Sequence, residues 1–375
     1  MQFRDLKAQY LYLKDEIDAG IAEVIDNTNF ISGKQVNELE EQLAQYVGVK
    51  HCITCGNGTD ALTLMMMAWG ITEGDAVFVP DFTFFSSGEI VAFEGATPVF
   101  YDVCMDTFNA DVNSLEKAII AVKSEGKLKP KAIIAVDLFG QPADYEQLQK
   151  IAEKYGLLLL EDGAQGFGGK IGKRVACSFG DAATTSFFPA KPLGCYGDGG
   201  AVFVNDDETA DYLRSVRIHG KGSFKYDNVR IGINSRLDTL QAAILIPKFR
   251  AFCDYELEAV NKVAQQYNSQ LEGIVTIPKV TDGFYSSWAQ YTVRLKDKDT
   301  RDRLQRKLKE KEIPTMIYYP KPMHNQIAFE GIKQYVECPV TEQLCDTVLA
   351  LPMHPYLSED QITFVTDSIK DILKK

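Results

Sequence analysis

The sequence has few of the features that mark an exported or membrane-spanning protein. Its first residues, MQFRDLKAQYLYLKDEID, carry charges every few positions, so the apolar core of a signal peptide is missing. The longest nearly apolar run, around residues 62–71, is too short for the roughly 20 residues of a membrane-spanning helix. We therefore expect a cytoplasmic protein with no membrane partner.

Metal-ligand patterns are also scarce. The chain has 8 cysteines and 4 histidines, and without a secretory signal we expect the cysteines to be free thiols. Cys52 and Cys55 form a CxxC, but no second CxxC or histidine pair at ligand spacing accompanies it. We interpret both as small residues of a buried strand, rather than a redox pair or half a zinc site, and expect no metal.

The charge distribution gives no sign of a nucleic-acid surface. Forty lysines and arginines against 52 acids leave a net charge of −12, and the basic residues are interspersed with acidic ones. A nucleic acid is therefore not an expected partner, and an anionic ligand would need a local pocket. Neither G-x-x-x-x-G-K-[ST] nor a helix-opening G-x-G-x-x-G occurs, so the usual glycine motifs for nucleotides are missing.

The first part of the chain alternates strand and helix patterns. The run LLLLED at 157–162 has no polar alternation, which is typical of a strand buried on both faces, and a helical pattern precedes it at 145–155. Other β-rich runs lie at 76–80, 97–103 and 131–136. This order predicts an α/β domain with a mixed, mainly parallel sheet, whose ligands bind at the carboxyl ends of the strands.

The second part of the chain predicts a smaller unit. A long helical stretch follows Asn234, with Pro247 as an expected kink and Gly273 as its end. A strand at 291–295 and a basic amphipathic helix come next, as in a small α+β domain. We predict a large domain at 1–245 and a small domain at 246–375, which includes the bridging helix and on which the N-terminal helix could pack.

The segment Asn57-Gly58-Thr59-Asp60 leads from a predicted strand at 51–54 into a helix. Gly58 permits a tight turn, Thr59 can cap the helix, and the free N–H groups of the first turn can bind a phosphate. An unliganded helix start has the same pattern, so this segment alone is not specific.

Asp162 and Lys191 are the two residues whose settings point most directly to chemistry. Asp162 ends a buried strand, where a carboxylate is poorly solvated unless a cation or a donor pairs with it. Lys191 lies between Pro189 and Pro192 in SFFPAKPLGCYGDGGA, a loop that is stiff before the lysine and glycine-rich after it. A buried setting would lower the pKa of its amine and make it a nucleophile suited to a Schiff base.

These features fit one cofactor when they are taken together. A phosphate-type helix start, an acid at a strand end, and a loop from the hydroxyl of Ser186 to Lys191 suit pyridoxal 5′-phosphate held covalently by that lysine. Each feature could also be structural, for example a helix cap. The alternative is a nucleotide-binding module whose lysine touches a phosphate, although its glycine motifs are missing.

Ten segments along nearly the whole chain carry a family resemblance. They are FRDLKAQY, FISGKQVNELE, CGNGTDAL, VPDFTFFSS, LFGQPADYEQL, LLLLEDGAQGFG, TSFFPAKPLGCYGDGGA, GINSRLDTLQAAIL, AQYTVRL and LPMHPYL. In this order they resemble the sugar aminotransferases of the DegT/DnrJ/EryC1/StrS family. The resemblance implies the fold type I, aspartate aminotransferase-like architecture and a ping-pong transfer of an amino group.

The resemblance also implies roles for single residues around the cofactor. Lys191 matches the lysine that holds pyridoxal phosphate, and Asp162 matches the acid that pairs with its ring nitrogen. Phe84 matches the aromatic residue that stacks on the ring, and Gln165 matches the residue near its phenolic oxygen. The residues implied for the phosphate cradle are Gly58, Thr59, Asp60 and Ser186.

Three further residues are implied on the substrate and subunit side. Asn234 matches a residue that reaches the phosphate from the neighbouring subunit, so a homodimer with shared active sites is implied. Arg236 resembles an arginine that crosses between subunits to contact the anionic nucleotide-sugar. His324, in YYPKPMHNQ, lies where family members often place a residue on the substrate side.

The resemblance implies an amino-acid donor, L-glutamate, and a nucleotide-linked keto-sugar acceptor, as in the synthesis of cell-surface polysaccharides or modified sugars. Within the family the segments look closest to aminotransferases of UDP-2-acetamido-2-deoxy-3-oxo-glucuronate. Enzymes that aminate dTDP-3- or 4-keto-6-deoxyhexoses are the alternative. Two less favoured alternatives are a sugar dehydratase, in which histidine replaces the lysine at position 191, and a non-catalytic regulatory homologue.

Overall fold

The computed structural model describes residues 1–224 and 226–374. Its strands are β1 (His51–Cys55), β2 (Asp75–Pro80), β3 (Thr97–Tyr101), β4 (Lys129–Val136), β5 (Leu158–Asp162), β6 (Lys170–Ile171), β7 (Arg174–Val175), β8 (Ala182–Ser186), β9 (Gly200–Val204), β10 (Phe284–Tyr285), β11 (Tyr291–Arg294) and β12 (Val348–Leu351). Its helices are α1 (Leu6–Asn27), α2 (Lys34–Val47), α3 (Gly58–Ala68), α4 (Ser86–Phe93), α5 (Val112–Glu125), α6 (Tyr145–Tyr155), α7 (Asp207–Val216), α8 (Thr239–Ala251), α9 (Leu257–Leu271), α10 (Lys298–Glu310), α11 (Pro339–Thr347) and α12 (Glu359–Leu373).

A seven-stranded sheet forms the centre of the part of the chain that is described, in the order β1-β9-β8-β5-β4-β2-β3. β9 runs antiparallel to both of its neighbours, and the other pairs are parallel. The register places Asp162 beside Val136 on one side and Thr184 on the other. The predicted α/β class with a mixed, mainly parallel sheet is confirmed, and the carboxyl ends of β4, β5 and β8 lie side by side.

The unit of α6 and β5 shows how the sequence produces this layering. The side chain of Asp144 caps the start of α6, and Gly156, at φ 66°, ends the helix in a left-handed turn that glycine adopts without strain. Leu148 and Ile151 lie on the buried face of α6 and belong to one apolar cluster with Leu159 of β5. Burial on both faces therefore explains the unbroken leucine run.

The C-terminal part packs helices on a short antiparallel pair. β11 pairs with β12, and α10 and α12 bury leucine, valine and isoleucine side chains in the same apolar cluster as this pair. At the other end of the chain, Leu13 and Ile17 of α1 pack against Ile244 and Ala251 of α8. The predicted boundary at 245/246 falls inside α8, and the division into two domains stays a prediction.

The predicted long bridging helix is interrupted, but not at the proline. α8 contains Pro247 and continues to Ala251, and a π-helical segment at Phe252–Glu256 then precedes α9. Such wide turns are a known way for a long helix to change direction. The carboxylate of Glu256, in this segment, accepts hydrogen bonds from Gln9 and Tyr356, so the wide turn lies where the helix meets the N-terminal segment.

Two expectations about burial can be compared with the structure. Cys52 and Cys55 lie in β1 with buried side chains, as the strand interpretation predicted. Among the described helices, none combines the length and the apolar character that crossing a membrane would require.

Candidate active site

A cavity of about 870 Å³ opens at the carboxyl ends of the parallel strands. This is the place where ligands bind in open α/β sheets. Eight of the residues predicted to form the site line this cavity: Gly58, Thr59, Asp60, Phe84, Asp162, Gln165, Ser186 and Lys191. The structure therefore brings together residues that are separated by more than a hundred positions in the sequence.

The loop that carries Lys191 is closed by its own backbone. Phe187 N–H donates to the carbonyl of Gly199 at 2.7 Å, and Cys195 N–H donates to the carbonyl of Phe187 at 2.8 Å. Lys191 N–H donates to the carbonyl of Phe188 at 2.8 Å, which fixes the turn at the lysine. The stiff and then permissive sequence thus forms a tight loop between β8 and β9 that points one amine into the cavity.

The surroundings of Lys191 favour its neutral amine. Burial lowers the pKa of Lys191, the negative charge of Asp162 opposes that shift, and the positive charge of Arg4 adds to it. Arg4 also donates from its guanidinium to the carbonyl of Pro192 at 3.3 Å, so the N-terminal segment touches the back of the loop. An amine in this setting is a better nucleophile than one on the surface.

Asp162 is buried on the floor of the cavity. One carboxylate oxygen accepts from the hydroxyl of Ser87 at 2.8 Å, and the other accepts from Ala164 N–H at 3.2 Å. Burial raises the pKa of Asp162 in spite of these donors. A carboxylate placed in this way stays ionised most easily when a cation lies against it.

The start of α3 is built differently from the prediction. The N-cap is Asn57, whose side-chain oxygen accepts from Asp60 N–H at 2.7 Å, and Thr59 lies in the first turn. The expectation that Thr59 caps the helix was therefore wrong, because Asn57 lies three residues before Asp60, the spacing at which a cap side chain accepts an N–H of the first turn. Thr59 is thereby left to line the cavity.

Gly58 allows this helix start to approach β8 closely. A Cβ atom at position 58 would lie 2.6 Å from the Cβ of Ser186, which no real pair of side chains tolerates. The hydroxyl of Ser186 also accepts from Phe188 N–H at 3.2 Å. The first N–H groups of α3 and this hydroxyl therefore face one small volume, which suits an anion.

A hydrogen bond holds the carboxylate of Asp60 away from the volume between α3 and Ser186. It accepts from the hydroxyl of Ser235 at 2.6 Å, and the same hydroxyl accepts from Gly56 N–H at 2.8 Å. This arrangement fixes the carboxylate beside the segment that follows residue 234.

Aromatic and amide groups form the walls. Phe84 is half-exposed, and its ring centroid lies 6.4 Å from that of Tyr319. The side-chain oxygen of Gln165 accepts from Phe139 N–H at 2.9 Å, and its amide donates to the hydroxyl of Tyr319 at 3.0 Å. The cavity can hold a flat ring between these groups, with its cationic edge at Asp162 and an anionic group at α3.

Three predicted site residues lie elsewhere in this chain. Asn234, Arg236 and His324 are absent from the described residues that line the cavity. Arg236 donates to the side-chain oxygen of Asn234 at 2.6 Å. The ring of His324 contacts Asp81 at the end of β2.

Several residues of the site were not predicted from the sequence. Ser87 contacts Asp162, and Tyr319 contacts Gln165. Lys321 and Gln326 contribute to the cavity wall. Ser87 had a sequence signal, since it lies in the segment VPDFTFFSS that also carries Phe84. The wall residues had none, because their segment has no regular periodicity.

Comparisons with a family model, with known sequences and with solved structures agree on one protein family. Residues 12–370 match the model of the DegT/DnrJ/EryC1/StrS aminotransferase family. UDP-2-acetamido-2-deoxy-3-oxo-D-glucuronate aminotransferase of Pseudomonas aeruginosa is 44% identical, over 97% of this chain and 98% of its own. A pleiotropic regulatory protein of Geobacillus stearothermophilus is 42% identical, over 99% and 98%. The crystal structure of a Brucella abortus family aminotransferase superposes with a TM-score of 0.97 at 48% identity, covering 100% of both chains.

Proposed function

Because this chain belongs to the DegT/DnrJ/EryC1/StrS aminotransferase family, we propose that it moves an amino group from L-glutamate to a nucleotide-linked keto-sugar. Its cofactor is pyridoxal 5′-phosphate, as in this family. The observation that carries the proposal is the meeting of the Lys191 amine, the Asp162 carboxylate and the start of α3 in one cavity. These three groups match the aldehyde, the ring nitrogen and the phosphate of that cofactor.

The chain's own residues divide the work of holding the cofactor. Lys191 would bind it covalently, and the carboxylate of Asp162 would accept a hydrogen bond from the protonated ring nitrogen. The N–H groups at Gly58 and Thr59 and the hydroxyl of Ser186 would hold the phosphate. Phe84 would stack on the ring. Asp60 stabilises this phosphate-binding site through its hydrogen bond with Ser235, and the N–H groups bind the anion.

The side-chain amide of Gln165 can donate to an oxygen on the cofactor ring. Its hydrogen bond to the hydroxyl of Tyr319 fixes the orientation of that amide. When bound, the cofactor would supply an electron sink for the carbon that carries the amino group. The Lys191 amine would be the nucleophile toward the cofactor's aldehyde and, once the donor's amine has displaced it, would move the proton between that carbon and the cofactor. Burial lowers the pKa of Lys191, which favours the neutral amine that both tasks need. Asp162 makes the electron sink effective, because its negative charge keeps the ring nitrogen protonated.

We propose UDP-2-acetamido-2-deoxy-3-oxo-glucuronate as the sugar substrate. The support is the P. aeruginosa relative, which carries this activity in its name and matches nearly all of the chain. The ring of this sugar carries a carboxylate and its nucleotide carries a diphosphate, so cationic side chains are needed around the cavity. Lys321 supplies one at the wall, and dTDP-keto-hexoses stay as the alternative acceptor.

The proposed assembly is a cytoplasmic homodimer with shared active sites. Arg236 and Asn234 do not line the cavity of their own chain in the described structure, which leaves them available to a partner's cavity. Arg236 would then bind the diphosphate or the uronate, and Asn234 would reach the cofactor phosphate.

The regulatory alternative deserves its own comparison, because one similar protein is named for regulation. A protein that had lost catalysis would have no need for an amine, a buried acid and an anion site in one cavity. All three are present here. The dehydratase alternative is disfavoured by the lysine at position 191.

A spectrum tests the cofactor assignment. We expect the purified protein to show an absorbance band in the near-ultraviolet to visible range that borohydride fixes onto Lys191 and that L-glutamate bleaches. Lys191→Ala is the matched control and should lack the fixable band. A colourless wild-type protein that takes up no pyridoxal phosphate would exclude the proposal.

A substrate panel tests the acceptor. Nucleotide-linked keto-sugars are incubated with ¹⁵N-labelled glutamate, and the products are analysed by mass spectrometry. We expect the label to appear on the UDP-linked 3-oxo-glucuronate in preference to dTDP-linked keto-hexoses. Labelling of a dTDP sugar would favour the alternative, and an unlabelled product of water loss would indicate a dehydratase.

A further inference from the structure

His324 lies outside the cavity and contacts a buried acid instead. Its Nδ1 lies 2.6 Å from Oδ2 of Asp81, and its backbone N–H donates to Oδ1 of Asp81 at 2.9 Å. Met323 N–H donates to the backbone carbonyl of Asp81 at 3.0 Å. The end of β2 therefore holds two consecutive residues of the 323–325 turn by three contacts.

The segment held in this way forms one wall of the cavity. Residues Ile317, Tyr318, Tyr319, Lys321, Met323 and Gln326 of this segment line it. Asp81 immediately precedes the stretch that leads to Phe84, another residue of the cavity lining, and its side chain is fully buried. One carboxylate thus connects two chain segments that line the same cavity.

The geometry points to Asp81 and His324 as a positioning pair that fixes this wall, and thereby the fit of the nucleotide-sugar, without touching it. This inference rests on the proposed function, since it assigns the wall to sugar binding. It also gives His324 a role different from the direct substrate contact that the resemblance implied.

The charges around His324 favour its protonated form. The hydrogen bond that the His324 ring donates to Asp81 raises the pKa of His324, burial opposes this, and the charges of Asp81, Glu342 and Asp102 add to the rise. Asp81 follows β2, Asp102 follows β3, and Glu342 lies in α11, 3.8 Å from Nε2 of the ring. The thiol of Cys338, which precedes α11, stays neutral because burial raises its pKa. These acids therefore favour the protonated ring, the form in which His324 and Asp81 make an ion pair.

A metal ion is a weaker interpretation of the same residues. Ligand atoms of Asp81, His324 and Cys338 lie within 4.8 Å of one another. Two ligands of a tetrahedral zinc ion at about 2.1 Å would be separated by about 3.4 Å. The 2.6 Å between the ring nitrogen and the carboxylate oxygen is instead a charge-assisted hydrogen bond.

Three variants separate positioning from mere stability. His324→Ala removes the pair, His324→Asn keeps an N–H donor near the Nδ1 position without the charge, and His51→Asn is the matched control. His51 contacts Asp207 at 2.7 Å in a similar pair that lies outside the cavity lining. Steady-state kinetics are measured with L-glutamate and UDP-2-acetamido-2-deoxy-3-oxo-glucuronate, alongside thermal unfolding.

We expect His324→Ala to raise KM for the sugar about tenfold, the size of one lost charge-assisted hydrogen bond, with a smaller change in kcat. His324→Asn should restore most of this loss, and His51→Asn should leave KM unchanged. An unchanged KM in His324→Ala would overturn the inference, as would an equal loss in all three variants. If the wild type shows no reaction with the sugar, the proposed function has failed instead.

A second readout does not depend on activity. With ¹³C-labelled histidine, the ring signal of His324 is identified by its loss in His324→Asn and is titrated by NMR. We expect its pKa to lie above about 6.5 in the wild type and to fall in Asp81→Asn. A pKa at or below the ordinary value, or bound zinc detected by mass spectrometry in the purified protein, would overturn the ion pair.

Discussion

At the scale of single residues, Asp162 is placed where stability and function conflict. Its carboxylate is buried and has only a hydroxyl and one N–H as donors, and its pKa is raised by burial. The folded, cofactor-free protein therefore binds the proton of Asp162 more tightly than the unfolded chain does. The free energy of unfolding of the cofactor-free protein therefore falls as pH rises from the pKa of Asp162 in the unfolded chain, about 3.9, to its pKa in the folded protein. A cationic ring nitrogen beside Asp162 offsets this loss of stability.

Asp162→Asn should separate these effects. Without the buried charge, the cofactor-free variant should be more stable than the wild type at neutral pH by about 1–3 kcal/mol. Its kcat/KM should fall about 100-fold or more, because the ring nitrogen loses its fixed negative partner. Urea unfolding of cofactor-free protein and steady-state kinetics measure the two quantities. A variant that is both less stable and fully active would contradict this account of Asp162.

At the scale of elements, the anion site depends on how closely α3 approaches β8. Position 58 admits no Cβ, since that atom would lie 2.6 Å from the Cβ of Ser186. A side chain there must push the helix start away from Ser186, although alanine suits a helix better than glycine. The close approach of α3 to β8, rather than the helix alone, brings the N–H groups of α3 and the hydroxyl of Ser186 together.

Gly58→Ala should therefore weaken cofactor binding by about tenfold or more and reduce stability by about 1–3 kcal/mol, through overpacking. Titration with pyridoxal phosphate and chemical unfolding test this. The double variant Gly58→Ala/Ser186→Gly removes the shortest contact, that with the Cβ of Ser186, so it should regain stability relative to Gly58→Ala, with Ser186→Gly as its control. If the effects of the two substitutions on the free energy of unfolding simply add, this contact does not limit how closely α3 approaches β8.

Elements with regular patterns were predictable, and special turns were not. The leucine run of β5 and the amphipathic α6 were predicted because burial on both faces or on one face leaves a periodic signal. The cap at Asn57 and the π-helical segment at Phe252–Glu256 were missed. A cap is decided by which of two neighbouring polar side chains reaches an N–H, and a wide turn by contacts from distant parts of the chain.

At the scale of the whole molecule, the predicted site divides into two sets. Residues at the carboxyl ends of central strands or on the loops that follow, such as Asp162 and Lys191, were predicted and come together, because sheet order fixes where these strand ends meet. His324 could not be placed from the sequence, since its partner Asp81 lies more than two hundred positions away. Arg236 and Asn234 lie outside the cavity lining of their own chain, and only the proposed homodimer would bring them to a cavity.

Subunit complementation tests this last point. If Arg236 serves the partner's cavity, Lys191→Ala and Arg236→Ala homodimers each lack activity, but a mixed dimer contains one site with both residues intact. Random mixing at equal amounts makes half of the dimers mixed, each with one of its two sites working, so about a quarter of wild-type activity should return. If Arg236 instead acts within its own subunit, every site in the mixed dimer carries one defect, and no activity returns. Co-expression with two affinity tags isolates the mixed dimer, and its activity per site decides between the two arrangements.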